Sequence, residues 1–324
     1  MIINDFESSY EETLNLLKYN NNYIFLLSND VSKYSIKDKF PTQMLVLGIK
    51  NNNFKNAMNL TLEYKANITI LINDDIMVFY PLGNIFYKGN NIKDMFKIII
   101  NRLNFLNSIT RQKTISIKNN NIKLNWYFDM FAESMIQIKD KITIPDCSEF
   151  LDIVRNYAQQ YYDLFEDKTD NHEFKRTMRC RRGMPSFRYK NNIIVSKRII
   201  TNEFITNEDM VAIYKKGENI YYYGDDKPSV DTPIHVKLYK EFNHINFIIH
   251  SHEYIKNAPF TKKVIPCGAI EEYKEIITTI KENFNYNNNL FIVNELGHGS
   301  IILSSNLENL KQNEIKKRVI PDFI

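Results

Sequence analysis

The segment VDTPIHVKLYKEFNHINFIIHSHEY, residues 230–254, holds four of the chain's six histidines. Within it, Ile245 to Ile249 reads as a short strand run that ends in His250-Ser251-His252. Side chains two apart on a strand point to the same face, so both imidazoles project one way. Two neutral imidazoles on one side are half of a zinc site, which takes three or four N or O donors. The carboxylate of Asp231 and a later imidazole, His298, would complete it. A chain with six histidines can also produce H-x-H from composition, so two ordinary histidines closing a strand satisfy the same letters.

Other titratable groups carry less chemistry. His235 lies on the helical stretch Thr232 to Phe242, as a structural or supporting residue, and His244 in the turn that follows it. His172 lies in the polar stretch EDKTDNHEF and is expected in solvent. Glu271 and Glu272 open a helix, where acidic side chains suit the positive end of the dipole; a general-base role is the alternative. Cys267 lies near the candidate site with no sign of an activated thiol. Arg179-Cys180-Arg181-Arg182 is basic, but without interleaved aromatics it reads as a solvated or anion-facing helix end.

The elements that must position these groups come in two stretches. The first half alternates strands (23–28, 44–49, 67–72, 76–80) with amphipathic helices (52–66, 95–109), and predicts a hairpin around Asn73-Asp74-Asp75. The order β–β–α–β–β–α suggests a small mixed sheet with helices packed on it. Gly48 follows a strand, but GIKNNNFKNA lacks the G-x-G-x-x-G spacing of a nucleotide turn. From 110 to 145 the pattern is strand-rich, with TISIK and KITIP flanking Trp126. Asp146 or Ser148 then caps a helix over 150–165, so the domain boundary is expected at about 145. Residues 1–145 form a small mixed α/β domain of unknown role, and residues 146–324 a second domain.

Composition sets outer limits. The 324 residues suffice for two domains with real cores. A net charge of +4 is small for a nucleic-acid binder, and no apolar run reaches the roughly 20 residues of a membrane span. Three widely spaced cysteines and an acidic start, MIINDFESSYEE, point away from a disulfide framework and a signal peptide, and toward the cytoplasm.

Residues 183–252, from GMPSFRYKNNIIVSKRIITNEFITNEDM to NFIIHSH, resemble the class II aldolase/adducin family. The family pattern is a glycine-turn strand and hairpin, a helix beginning T-x-E-D, a strand pair, and a carboxylate entering a helix before a strand that ends H-x-H. The offset from Asp231 to His250 is 250 − 231 = 19 residues, the family spacing. VIPCGAIEEYKEIITTIKENF followed by LFIVNELGHG is similar to the stretch that delivers the family's third histidine. The resemblance runs over roughly residues 148–310.

It implies an α/β fold with three layers and a mostly antiparallel central sheet. It also implies Zn2+ or another divalent metal on His250, His252 and His298, with Asp231 as fourth ligand or acid/base. The activity implied is retro-aldol cleavage of a sugar or sugar phosphate through a metal-stabilised enediolate. An epimerase or dehydratase on the same site, or a non-catalytic adducin-like module, is the alternative. Substrate contacts would come from Gly183, Ser186, Lys197, Arg198 and Ser229, and a homo-tetramer is the implied assembly. This sequence departs from the family in three respects. Asp231 replaces the usual glutamate. Lys197-Arg198 stands where a glycine turn is usual. Any extension beyond His298 is expected to be short, at 324 − 298 = 26 residues.

Overall fold

The computed structural model describes residues 2–4, 24–27, 35–38, 45–50, 53–63, 66–80, 85–109, 112–118, 121–127, 135–159, 183–198, 200–265 and 267–311. The chain divides into two units, Met1–Phe128 with Ile320–Ile324, and Asp129–Val319. This division lies earlier than the boundary expected at 145, because a strand at Ile136–Ile138 already pairs within the second unit.

The first unit runs β1 (Ile2–Asn4), β2 (Ile24–Leu27), β3 (Ser35–Asp38), β4 (Leu45–Lys50) and helix α1 (Phe54–Glu63). It continues through β5 (Ile68–Ile72), β6 (Ile76–Phe79), β7 (Ile85–Gly89), α2 (Ile92–Ile109), β8 (Gln112–Lys118) and β9 (Asn121–Tyr127). One sheet has the order β1-β2-β4-β5-β6-β7, parallel up to β5 and antiparallel after it. A second has the order β3-β9-β8. The expected hairpin forms between β5 and β6, closed by the Asn73 N–H on the Asp75 carbonyl. Along α2, Met95, Ile99, Leu103 and Leu106 recur at helical spacing and are buried. Strand β7 escaped sequence reading because IFYKG is brief and only half-buried.

The second unit begins with β10 (Ile136–Ile138) and α3 (Ser148–Gln159), followed by β11 (Gly183–Tyr189) and β12 (Asn192–Ser196). Then come β13 (Met210–Lys216), β14 (Asn219–Tyr223), α4 (Thr232–Glu241), β15 (Phe247–Ser251) and α5 (Glu271–Asn283). The last elements are β16 (Leu290–Glu295), β17 (Gly299–Ser304) and α6 (Leu307–Lys311). KITIP, read as a strand from its β-branched residues, is irregular; Ile142 and Ile144 instead pack on a core cluster. The T-x-E-D segment, Thr206 to Asp209, makes a single 3-10 turn (Asn207–Asp209) rather than a longer helix.

The strand order of this unit is β10-β14-β13-β12-β11-β15-β17-β16, and among the described strands only the edge pair β10–β14 is parallel. Alternation along β15 sends its side chains to two separate cores. Phe247 and Ile249 join Phe150, Val154 and Phe187 beneath α3, together with Leu310 of α6. Ile248 joins Leu238, Tyr239, Ile276 and Ile280 beneath α4 and α5. Each fully buried aliphatic side chain contributes roughly 1.5–3 kcal/mol to this packing. His250 and His252 continue the Ile248 series, so they emerge on the side covered by α4 and α5. No helix among the described residues is long and apolar enough to cross a membrane.

Candidate metal centre

His250 is the penultimate residue of β15, His252 follows the strand end, and His298 sits in the turn between β16 and β17. All three are at most 7% exposed. One ring nitrogen of each can be chosen so that the three atoms lie within 4.8 Å of one another. Their ring centroids are 5.0, 4.5 and 5.1 Å apart. The histidines expected to act together are thus brought together.

What fixes the rings is a pair of buried carboxylates. Nδ1 of His250 is 2.9 Å from Oε2 of Glu295 and 3.1 Å from the Ser300 carbonyl oxygen. Both neighbours are acceptors, so Nδ1 carries the proton and donates, which leaves the lone pair on Nε2. That Nε2 is buried and has no hydrogen-bond partner among the described residues. Burial lowers the proton affinity of His250, but Glu295 outweighs it and holds the imidazole above its ordinary range, with Asp231 adding to the effect. His298 repeats the arrangement, with Nδ1 2.5 Å from Oε1 of Glu272. Glu295 and Glu272 are 3% exposed.

A histidine that gives one N–H to a carboxylate and keeps the other nitrogen for an ion is the usual form of a metal-binding imidazole. His250 and His298 have this form, and with His252 they bring together three imidazoles, the donor set of a catalytic zinc site with an open position. The residues present therefore fit a divalent ion. Glu295 had escaped sequence reading, although its place at the end of β16 and the E-x-x-H spacing to His298 were visible. Glu272 was seen only as a helix-dipole residue or a general base; it orients a ring instead.

Asp231 is the residue before α4, where Pro233 suits the first turn, yet its side chain makes no cap bond. It is 6% exposed, and its Oδ1 accepts the Cys267 thiol at 3.3 Å. Ligand atoms of Asp231, Cys267 and His298 also lie within 4.8 Å of one another. Asp231 therefore borders the histidine cluster from the side of His298.

The remaining expected contacts fall out differently. Ser186 is fully buried, its hydroxyl bonded to His235 Nδ1 at 2.7 Å and to the Tyr239 hydroxyl at 3.0 Å. It braces α4 against β11 rather than facing a substrate. His235 itself is held neutral by burial, with His250 nearby adding to the effect. Gly183 lies opposite Ser251, where a methyl group would run into the His250 carbonyl and the Asn202 amide. Its part is to let β11 approach β15.

Lys197 gives its ammonium to Asp209 at 2.8 Å, a bond that raises its proton affinity. The supposed cationic pair is thus already half neutralised. Arg198 is tied by its backbone N–H to the Lys227 carbonyl, and Ser229 joins this loop to Asp231 through the Ser196 carbonyl and its own hydroxyl. His244 is bonded to the Asn288 carbonyl. His172 and Arg179 to Arg182 lie outside the described residues.

Two expected outcomes follow for the frame. Ser186→Ala leaves His235 and Tyr239 short of a partner and should cost about 1–3 kcal/mol, seen as a lower Tm. Metal content and KM should stay as in wild type; a raised KM at unchanged Tm would return Ser186 to the substrate. Asn294, 1% exposed, clamps the loop after His252 through bonds to Ile255 N–H, Ile255 carbonyl and Ala258 carbonyl. Asn294→Ala should lower stability by about 1–3 kcal/mol or more and weaken metal retention, read by thermal melts with and without added zinc.

The domain that carries these residues has relatives. Residues 175–313 match the Class II Aldolase and Adducin N-terminal domain. Asp231, Glu272, Glu295 and the three clustered histidines all fall inside that aldolase/adducin domain. Among solved structures, YgbL from Klebsiella pneumoniae is similar at 12% identity and a TM-score of 0.35, covering 51% of this chain and 80% of that one. The l-fuculose-1-phosphate aldolase from Thermus thermophilus is similar at 14% identity and a TM-score of 0.33, covering 52% and 81%. Neither likeness bears on the reaction; the family match rests on residues 175–313 alone.

Proposed function

We propose that the aldolase/adducin domain binds a divalent metal, zinc first among them, and acts as a lyase of the class II aldolase type on a sugar or sugar phosphate. The observation that carries this is the buried Nε2 of His250, left without a partner among the described residues while Glu295 and the Ser300 carbonyl hold Nδ1. His250, His252 and His298 would hold the ion, with Asp231 beside them. When bound, it supplies Lewis acidity toward the substrate's carbonyl and hydroxyl oxygens.

The chain's own residues do the rest. Glu295 and Glu272 accept from Nδ1 of His250 and His298 and so fix the orientation of those two rings. Asp231, next to His298, is the acid/base: it takes the proton of a substrate hydroxyl as the C–C bond breaks and returns it to the released fragment. An epimerase or dehydratase would use the same groups, and product analysis separates them, since cleavage alone gives two carbonyl fragments. The commitment of Lys197 to Asp209 and the burial of Ser186 favour the second reading, a non-catalytic adducin-like module, because they leave fewer groups for a phosphate.

Elemental analysis of the purified chain, together with a screen of sugar phosphates before and after chelation, tests the proposal. Near-stoichiometric zinc, with cleavage lost on chelation and restored by zinc, is the expected result. A chain that takes up no metal after incubation with zinc would overturn it. Metal without turnover of any sugar would leave the binding module.

A further inference from the structure

We propose that Cys267 is itself a ligand of this centre, completing a set of three imidazoles and one thiolate. The inference rests on the metal-binding reading above and adds to it a residue chosen by this chain's own geometry. Cys267 is 5% exposed, and its sulfur sits within 4.8 Å of ligand atoms of both His298 and Asp231. His298 belongs to this group and to the three-histidine group alike. Bonds of about 2.0–2.3 Å to a tetrahedral zinc put neighbouring ligand atoms roughly 3.3–3.8 Å apart. Within each of the two groups the ligand atoms lie within 4.8 Å of one another, and the groups meet at His298.

A second observation points independently to an ion at this spot. The Nε2 of His250 is buried and without a partner among the described residues, and His250 belongs to the three-histidine group, which shares His298 with the group of Cys267. Cys147 makes the contrast. It lies in the core beneath α3, bonded to Asn207, and burial pushes its thiol up to about 11, with Asp146 adding to the effect. That is an inert structural cysteine. Cys267 instead points its S–H at a carboxylate beside three imidazoles.

Ligation by sulfur releases the thiol proton to bulk water, and Asp231 Oδ1, until then the acceptor of that S–H, is left a carboxylate for the acid/base step. A thiolate among the ligands selects zinc or cobalt over magnesium, calcium or manganese. Substrate oxygen would then enter as a fifth ligand, an expansion zinc tolerates. Asp231 is left beside the ion rather than on it.

The test is cobalt. Full-length chain loaded with cobalt(II) should show an intense sulfur-to-cobalt charge-transfer band in the near ultraviolet. Cys267→Ser should lose that band and keep the visible cobalt absorption. Visible absorption without the band in wild type, or a band that survives in Cys267→Ser, overturns the proposal and leaves the histidine site standing. No cobalt uptake by wild type overturns the metal reading and this inference with it. If Cys267→Ser does not fold, zinc X-ray absorption of wild type decides: a sulfur shell at roughly 2.3 Å supports the ligand, and nitrogen and oxygen alone overturn it.

Discussion

Replacing His250 and His252 together by alanine is expected to abolish zinc retention, while Glu295→Gln or Glu272→Gln should each weaken zinc binding by about 10–100-fold. The grading follows from position. The alanines remove donors, and one remaining imidazole does not hold an ion against a competing chelator. The glutamines leave every donor in place but neutralise the acceptor that fixes a ring. Glu295 shares the Nδ1 proton of His250 with the Ser300 carbonyl, whereas Glu272 has a 2.5 Å bond to His298. Competition titrations against a chromophoric chelator give the affinities, and far-ultraviolet circular dichroism checks the fold. Glutamine variants that bind zinc as tightly as wild type would show that the carboxylates do not orient the ligands.

Gly299→Ala is expected to lower stability by about 2–6 kcal/mol, combining backbone strain of about 1–3 with overpacking of a similar size. Gly299 has φ +140°, a conformation that side chains rarely adopt. A methyl group there would press into the Ser251 carbonyl and stand 2.6 Å from His252 Cα. β15 would have to move away from β17, carrying His252 with it. Zinc content should fall along with the melting temperature, which drops by about 2–4 °C per kcal/mol in a unit of this size. A variant that melts and binds like wild type would mean that β17 can shift without disturbing the site.

The histidines were legible because a strand's period of two is a local property, so H-x-H at the end of an apolar run says which way both rings face. Asp231 and His298 joined them through the resemblance to the class II aldolase/adducin pattern. The two orienting carboxylates were not legible in the same way. Glu295 reaches His250 only because β17 lies between β15 and β16 in the sheet, and a non-sequential strand order leaves no local trace. Glu272 looked like any acidic first turn, since what sets it apart is the packing of α5 beside the β16–β17 turn. Ser186 shows the reverse error. Its strand was located, but the covering helix that claims its hydroxyl depends on tertiary placement. KITIP failed because β-branched residues mark burial as readily as pairing.

The partnerless nitrogen of His250 also has a consequence for the life of the protein outside the test tube. That nitrogen has no partner among the described residues, and an ion would satisfy it only in the folded state. Mass action then makes the folded population depend on metal supply, by about 2.7 kcal/mol at an ion concentration about one hundred times Kd. Such a shift can change steady-state abundance several-fold where misfolded chains are degraded. Starving cells of zinc should thus deplete the protein itself, so metal availability would govern how much of it exists before governing how fast it works.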